Sequence, residues 1–365
     1  MFTVNKPDFY HADCRHLRGD LPCKPHKKTG AHCGNCGDYD PVSQRILIIK
    51  LGALGDVIRT TPLVTRMRQR YPGCKISWLT LSPAILPSPE IEEILPFDLK
   101  SIVYLEGCHF DVAINLDKDK EAGSLLKRIS ADQKFGFILE KNVVQPIDSK
   151  AYHKYHTGLF DDVSKANTLS YCEEIFAICG LEYAGEKYLL DNHSDKGYEW
   201  PSLTVGKPIV GLNTGVGARW PTRLWDNENW VELCRQIENA GFQPLLLGGE
   251  QEHPNNVELQ KLTGAMYLGH FSLQQYINLM NQCDVVVTQV SMSMHLALGL
   301  QKKIVLMNNI FNKHEFDLFG NGFLVEPEHD CTCFYAGTCS QGKSCMQYLK
   351  PSTVLDRIKK LIEKG

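Results

Sequence analysis

The apolar positions of this chain change rhythm repeatedly. Residues 46–49 (Ile-Leu-Ile-Ile) form an unbroken apolar run, as a parallel strand buried on both faces requires. A glycine-containing turn at 51–55 follows. From 56 to 71, apolar residues recur at Val57, Leu63, Val64 and Met67, close to helical spacing. The alternation continues with strand-like runs at 75–81, 101–105 and 111–116, and helical patterns at 120–129 and 169–179. A polar stretch with Gly and Pro, 191–207, predicts a linker. Beyond it the rhythm restarts. Strands are expected at 209–213, 243–247, 284–288 and 303–307, helices at 227–240, 253–262, 273–281 and 291–300, and a closing amphipathic helix at 352–362.

This repetition on both sides of the linker predicts an α/β chain of two doubly wound Rossmann-like domains facing across a cleft, with ligands at the carboxyl ends of the strands. The expected organisation is a Cys-rich arm at 1–44, a first domain at 45–190, a second at 208–350 and the closing helix at 351–365. A chain of 365 residues is long enough for two such cores. Composition adds limits. The hydrophobic share of 43% and charged share of 22% are those of a globular protein, and a formal net charge of −3 implies no nucleic-acid partner. No apolar run reaches about eighteen residues, so no transmembrane helix is expected. The N-terminus lacks the apolar core of a signal peptide, which predicts a cytoplasmic location. Arg59, Arg66, Arg68 and Arg70 share a stretch without an acid. That suits an anionic acceptor, headgroups at the inner face of the cytoplasmic membrane, or simply a solvated helix face.

The turn after the first strand reads Lys50-Leu51-Gly52-Ala53-Leu54-Gly55-Asp56-Val57-Ile58-Arg59-Thr60-Thr61-Pro62. It carries neither a dinucleotide fingerprint nor a P-loop. Asp56 reads in two ways: as a helix N-cap, or as a general base for an acceptor hydroxyl. The string from Ile46 to Leu63 resembles the opening of glycosyltransferase family 9, the ADP-heptose lipopolysaccharide heptosyltransferases. The resemblance implies a GT-B type fold, Asp56 as the base, and Arg59 and Thr60 beside the acceptor.

In the second domain, the loop after the first strand (Asn213-Thr214-Gly215-Val216-Gly217-Ala218-Arg219-Trp220) has the small residues and N–H groups that a diphosphate needs. Arg219 and Arg223 add guanidinium charge. Arg223 stands where the family places a cation against the donor diphosphate. Glu252, with Glu250 as rival, matches the family acid that holds donor ribose hydroxyls. At 290–295 the family reads Asp-Ser/Thr-Gly-x-x-His. Here Ser291, Ser293 and His295 remain, but Val290 and Met292 replace the Asp and Gly, which leaves the donor sugar open. Asn309, with His314 and Glu315, belongs to a polar loop that family members carry near the donor. Each of these also has a plainer reading as loop polarity or packing.

Fourteen cysteines are many for a reducing compartment. Six are scattered singly (Cys74, Cys108, Cys172, Cys179, Cys234, Cys283) and read as small buried hydrophobes. The others form two quartets: Cys14, Cys23, Cys33 and Cys36 near the start, and Cys331, Cys333, Cys339 and Cys345 near the end. Cys33-x2-Cys36 has zinc half-site spacing, and Cys23-x2-His26 is an alternative second half. Structural zinc or iron held by four thiolates is the expectation at one or both, with disulfide or free thiols as alternatives.

Together these features imply an inverting glycosyltransferase without a catalytic divalent cation. It would use a nucleotide-sugar donor such as ADP-heptose and an anionic glycolipid (lipopolysaccharide-core) or protein acceptor. A sugar-nucleotide epimerase of similar shape, or a metal-stapled binding protein with a degenerate donor motif, are the rivals.

Overall fold

The computed structural model describes residues 10–203, 206–328 and 333–363. Its strands are β1 (Arg45–Ile49), β2 (Lys75–Thr80), β3 (Glu93–Pro96), β4 (His109–Asn115), β5 (Ser130–Glu140), β6 (Val143–Pro146), β7 (Ile209–Asn213), β8 (Gln243–Leu247), β9 (Val285–Gln289), β10 (Lys303–Met307) and β11 (Gly322–Val325). The helices of the first half are α1 (Lys24–Thr29), α2 (Leu54–Ile58), α3 (Pro62–Arg70), α4 (Leu99–Glu106), α5 (Lys120–Arg128), α6 (Tyr152–Thr157), α7 (Asp161–Ala166) and α8 (Tyr171–Ile178). Those of the second are α9 (Asn227–Asn239), α10 (His253–Thr263), α11 (Leu273–Asn281), α12 (Met292–Gly299) and α13 (Pro351–Glu363).

The chain divides into two compact units: Met1–Leu51 with Leu63–Leu81 and Ser88–Ile147, and Gly52–Pro62 with Ser82–Pro87 and Asp148–Gly365. These do not coincide with the sequence blocks 45–190 and 208–350. The turn bearing Asp56, and everything from 148 to 190, belong to the second unit. The first unit holds a six-stranded sheet ordered β3-β2-β1-β4-β5-β6, parallel except for the β5–β6 pair. The second holds a five-stranded parallel sheet ordered β11-β10-β9-β7-β8. In each, the central strands are the unbroken apolar runs, because residues on both faces are covered.

Two local expectations are corrected. Residues 101–105 are helical, inside α4. The β-branched Ile102 and Val103 suggest a strand, but Asp98 caps the helix by accepting from the Ser101 N–H at 2.8 Å, and Ser101 and Leu105, one turn apart, are the buried positions. The single helix expected over 56–71 is two, α2 and α3. Between them Thr60 and Thr61 return their hydroxyls to the carbonyls of Asp56 and Ile58, each at 2.7 Å, and Pro62 opens α3.

Within the first unit, the described part of the Cys-rich arm is tied down by Arg15. That guanidinium reaches Asp40 (2.9 Å), Glu92 (2.6 Å) and the carbonyls of Gly73 and Cys74. Arg59 pairs with Asp56, and Arg68 with Glu92 and the Glu90 carbonyl. Of the single cysteines, Cys74, Cys172, Cys179, Cys234 and Cys283 are buried as expected, while Cys108 is only half-buried. Burial pushes the thiols of Cys172, Cys179, Cys234 and Cys283 up to about 12. Among the described residues, no helix is long and apolar enough to cross a membrane.

The end of β1 is pinned by a buried ion pair. Lys50 Nζ donates to one Asp117 oxygen and the Leu51 N–H to the other. Asn115 holds the Asp117 backbone through both its N–H and its carbonyl (2.9 and 3.0 Å). Burial raises the Asp117 carboxyl above its ordinary range, against the opposing pull of Lys50. Removing one partner strands the other in a dry site. Asp117→Ala should therefore cost about 3–5 kcal/mol in chemical denaturation, and Lys50→Met with Asp117→Leu should recover most of that loss.

Candidate active site

Two cavities of the second unit share part of their lining. The first, of about 490 Å³, opens where β7, β8 and β9 end, and its lining includes Gly215, Glu252, Phe271, Tyr276, Ser291 and Ser293. Its floor is a neutral polar knot around Asn213. The Asn213 amide N–H₂ donates to the Gly215 carbonyl (2.8 Å) and Thr288 Oγ1 (3.0 Å), and its Oδ1 accepts from Ser293 Oγ (3.0 Å) and Tyr276 OH (3.3 Å). Glycine at 215 leaves room for the Glu252 side chain: a Cβ there would stand 2.2 Å from Glu252 Oε1, so the carboxylate would have to move. Glu252 is itself steadied by the Gly249 N–H at 2.9 Å. Glu250 does not line the cavity, so Glu252 is the acid placed there. Thr214 is buried, donates to Asn256 Oδ1 (2.7 Å), and borders an adjoining pocket with Asp226 and Lys343.

The second cavity, of about 410 Å³, shares Val216, Ser291 and Met292 with the first and carries Asp56. Ala53 is the N-cap of α2 and Asp56 its third residue, so Asp56 is not the cap. Its carboxylate, about one-third exposed, pairs with Arg59 Nη2 at 2.8 Å, one helical turn on. Arg59 lies 3.6 Å over the Tyr171 ring and 3.8 Å from Glu315 Oε2. Burial opposes its charge, but Asp56, Tyr171 and Glu315 outweigh burial and hold its pKa above the ordinary value. Gly55 lets α2 close onto α12: a Cβ at 55 would fall 2.5 Å from the His295 ring. His295 is buried, and burial first, then Arg59, lower its pKa to about 3, so it is neutral at physiological pH.

Arg219, Arg223, Trp220, Phe311 and Tyr335 also line this cavity. Arg219 stacks on Trp220 at 4.3 Å. Arg223 is largely spent on the glycine loop, donating to the carbonyls of Val216 and Trp220, and burial lowers its pKa to about 10. Val290, standing where the family has an acid, is apolar cavity wall.

The structure thus gathers Gly215, Glu252, Ser291 and Ser293 around one cavity, and Asp56, Arg59, Arg219, Arg223 and His295 around its neighbour. Thr214 borders only the adjoining pocket, and two further residues stand apart from all three. Thr60 is fully buried, its hydroxyl on the Asp56 carbonyl and near Tyr171 OH (3.1 Å), so it supports the turn and offers nothing to an acceptor. Asn309 lines neither cavity. It donates to the Thr222 carbonyl at 3.0 Å and lies 3.5 Å from Cys345 Sγ, tying the arginine turn to the C-terminal Cys loop. Sequence reasoning missed Asn213 as the hub, and Tyr276, Trp220 and Tyr335 as cavity walls. The continuous burial of β7 could have flagged Asn213, because a polar side chain ending such a run must find its partners inside.

Of the N-terminal quartet, Cys14, Cys23, Cys33 and Cys36 all border one small cavity of about 20 Å³ in the first unit. Cys33 and Cys36 flank a turn closed by the Cys36 N–H on the Cys33 carbonyl (3.4 Å). His26 does not border that cavity and spends Nδ1 on the Ala31 carbonyl (3.0 Å). In the C-terminal quartet, Cys331 lies outside the described residues. Cys333 and Cys339 stand within hydrogen-bond reach, with Cys345 close by. Among the described residues, no three His, Cys, Asp or Glu side chains are already gathered to hold an ion.

Comparison with known proteins places this geometry. Lipopolysaccharide heptosyltransferase 2 of Escherichia coli (strain K12) is 22% identical over 300 residues, covering 72% of this chain and 82% of that protein. The solved structure of E. coli ADP-heptose LPS heptosyltransferase II superposes with a TM-score of 0.64 at 18% identity, covering 88% of this chain and 99% of the other. A dodecameric iron-containing heptosyltransferase, TibC, solved with ADP-D-beta-D-heptose, gives 0.55 at 14% identity, covering 88% and 76%. These likenesses show a GT-B type fold. The family model for glycosyltransferase family 9 (heptosyltransferase) matches residues 100–315, and the chain belongs to that family.

Proposed function

We propose that this glycosyltransferase moves a sugar, heptose being the first candidate, from a nucleoside-diphosphate donor such as ADP-heptose to a lipopolysaccharide-core or other glycan or protein acceptor, with inversion. The observation that carries this is the shared lining of two cavities: Val216, Ser291 and Met292 border both a glycine-loop cavity with Glu252 and one that holds Asp56.

The nucleotide occupies the first cavity, its ribose toward Glu252. Its diphosphate lies against the N–H groups of the loop after β7 and the N-terminus of α12, with Arg219 adding charge. Arg223 acts mainly by holding that loop. In the displacement, the acceptor O–H gives its proton to Asp56 as its oxygen bonds the anomeric carbon. The bond from that carbon to the diphosphate oxygen breaks, and the nucleoside diphosphate leaves with the electron pair. Neutral His295 packs the base helix and is not the acid. The Asp-x-Asp pairs at 38–40 and 117–119 do not suit a catalytic cation: Asp117 is consumed by Lys50 and Asp40 by Arg15. The leaving-group charge therefore falls to the loop, helix and guanidinium groups.

Two four-thiolate sites holding zinc or iron belong to the same reading. All-thiolate donor sets are closed and structural, and the fit rests on four thiols bordering one ion-sized cavity at the N-terminus and on the Cys333–Cys339 contact near the C-terminus. A similar fold that contains iron supports the metal class.

Asp56→Asn should abolish transfer, a fall of about 10²-fold or more, while donor binding by calorimetry persists; turnover near the parent level would reject the base. A panel of sugar nucleotides, read by mass spectrometry with the product anomer read by NMR, tests donor and stereochemistry. Metal analysis of the purified protein should find zinc or iron, and chelation should lower the melting midpoint by several degrees. Metal-free protein with an unchanged midpoint would remove the thiolate sites.

A further inference from the structure

Tyr335 is carried by the C-terminal Cys loop, outside the motifs that define the site, yet it reaches the base. Its backbone is held by the Ile310 carbonyl at 3.1 Å and its φ is +47°, a left-handed conformation uncommon for an aromatic residue. Its ring packs edge-on against Phe311 (4.9 Å) and Trp220 (5.8 Å). Its hydroxyl donates to Glu315 Oε1 at 2.6 Å. The other Glu315 oxygen lies 3.8 Å from Arg59 Nη1, and Arg59 Nη2 pairs with Asp56 at 2.8 Å. Glu315 is thus shared between a phenol and the guanidinium that steadies the carboxylate.

We propose that Tyr335 is a positioning residue for the transfer reaction: its hydroxyl fixes Glu315, Glu315 limits how closely Arg59 is drawn from Asp56, and the loop 333–345 so sets how the base is held. The inference rests on Asp56 acting as the base.

Arg59 is the pivot because two carboxylates compete for one guanidinium. With Glu315 restrained at 3.8 Å, Asp56 keeps the close contact. Without the Tyr335 hydroxyl, Glu315 loses its 2.6 Å donor and turns to Arg59, the nearest cation. Asp56 then holds less of the positive charge, binds a proton more readily, and loses its fixed orientation. Other ionisable groups lining the same cavity are His295 on α12, neutral throughout, and Arg219 and Arg223. Tyr171 of α8 lies under Arg59. None of these bonds Tyr335, so its loss reaches Asp56 through Glu315.

The test is a double-mutant cycle on the full chain, reading kcat, donor KM and the pH dependence of kcat/KM. Tyr335→Phe keeps the ring and should lower kcat about tenfold with donor KM unchanged. It should also move the acid limb of the profile to higher pH. Glu315→Gln removes the competing charge and should move that limb the opposite way. In the double variant, Tyr335→Phe should add no shift of its own. A merely structural tyrosine would lower the melting midpoint without moving the limb. An unmoved limb in Tyr335→Phe, or shifts that simply add, overturns the proposal. Retained turnover in Asp56→Asn would instead defeat the base assignment, a separate outcome.

Discussion

The site depends on one close approach, that of Gly55 to the His295 ring. No side chain fits at 55, and the ring is buried and uncharged. Backbone on one side and a flat neutral surface on the other allow α2 to lie directly against α12. Because Asp56 follows Gly55, this contact fixes the carboxylate relative to Ser291 and Met292, which border both cavities. A charged imidazole would repel Arg59 and could not stay dry. The burial that suppresses protonation of His295 therefore also preserves the geometry of its neighbours.

The C-terminal Cys loop is anchored before any thiol is considered. Met346 and Leu349 are buried in the second core with Trp225, Trp230 and Ile358. Trp225 Nε1 donates to the Leu349 carbonyl at 3.0 Å, and Gln347 bridges the Asp226 N–H and the Leu224 carbonyl, each at 2.7 Å. Each large apolar side chain buried this way is worth about 1.5–3 kcal/mol before the entropy of ordering is subtracted. The downstream end of the loop is thus tied to the turn that carries Arg223.

The central strands were legible because burial on both sides writes unbroken apolar runs, as in β1, β7, β9 and β10. Of the edge strands only β8, buried along its length, was. β3, β6 and β11 are partly exposed and short, and β5 beside β6 mixes Lys, Gln and Glu with Phe and Ile, so no period dominates. α4 was hidden because its exposed Val103 and Tyr104 favour a strand locally, while the cap at Asp98 decides. For the site, Asp56, Gly215, Glu252 and Ser291 could be read from local strings, since each belongs to a strand-to-helix turn whose chemistry is written in sequence. The Tyr335–Glu315–Arg59 chain could not. Its members sit on separate segments, and only folding makes them neighbours. Thr60 shows the reverse: its place in a motif suggested contact with a ligand, but its buried hydroxyl, just past the end of α2, is captured by the Asp56 carbonyl.

The knot around Asn213 has a further consequence. Its partners are a backbone carbonyl, three hydroxyls and a phenol whose ionisation burial pushes far upward. None gains or loses a proton in the range where cells live. The platform under the first cavity therefore has a shape indifferent to acidity, and little in it responds to salt. Sensitivity to the medium enters instead through Glu252 in the same cavity and through the acids and guanidinium groups of its neighbour. The protein thus sets an inert seat beside responsive side chains.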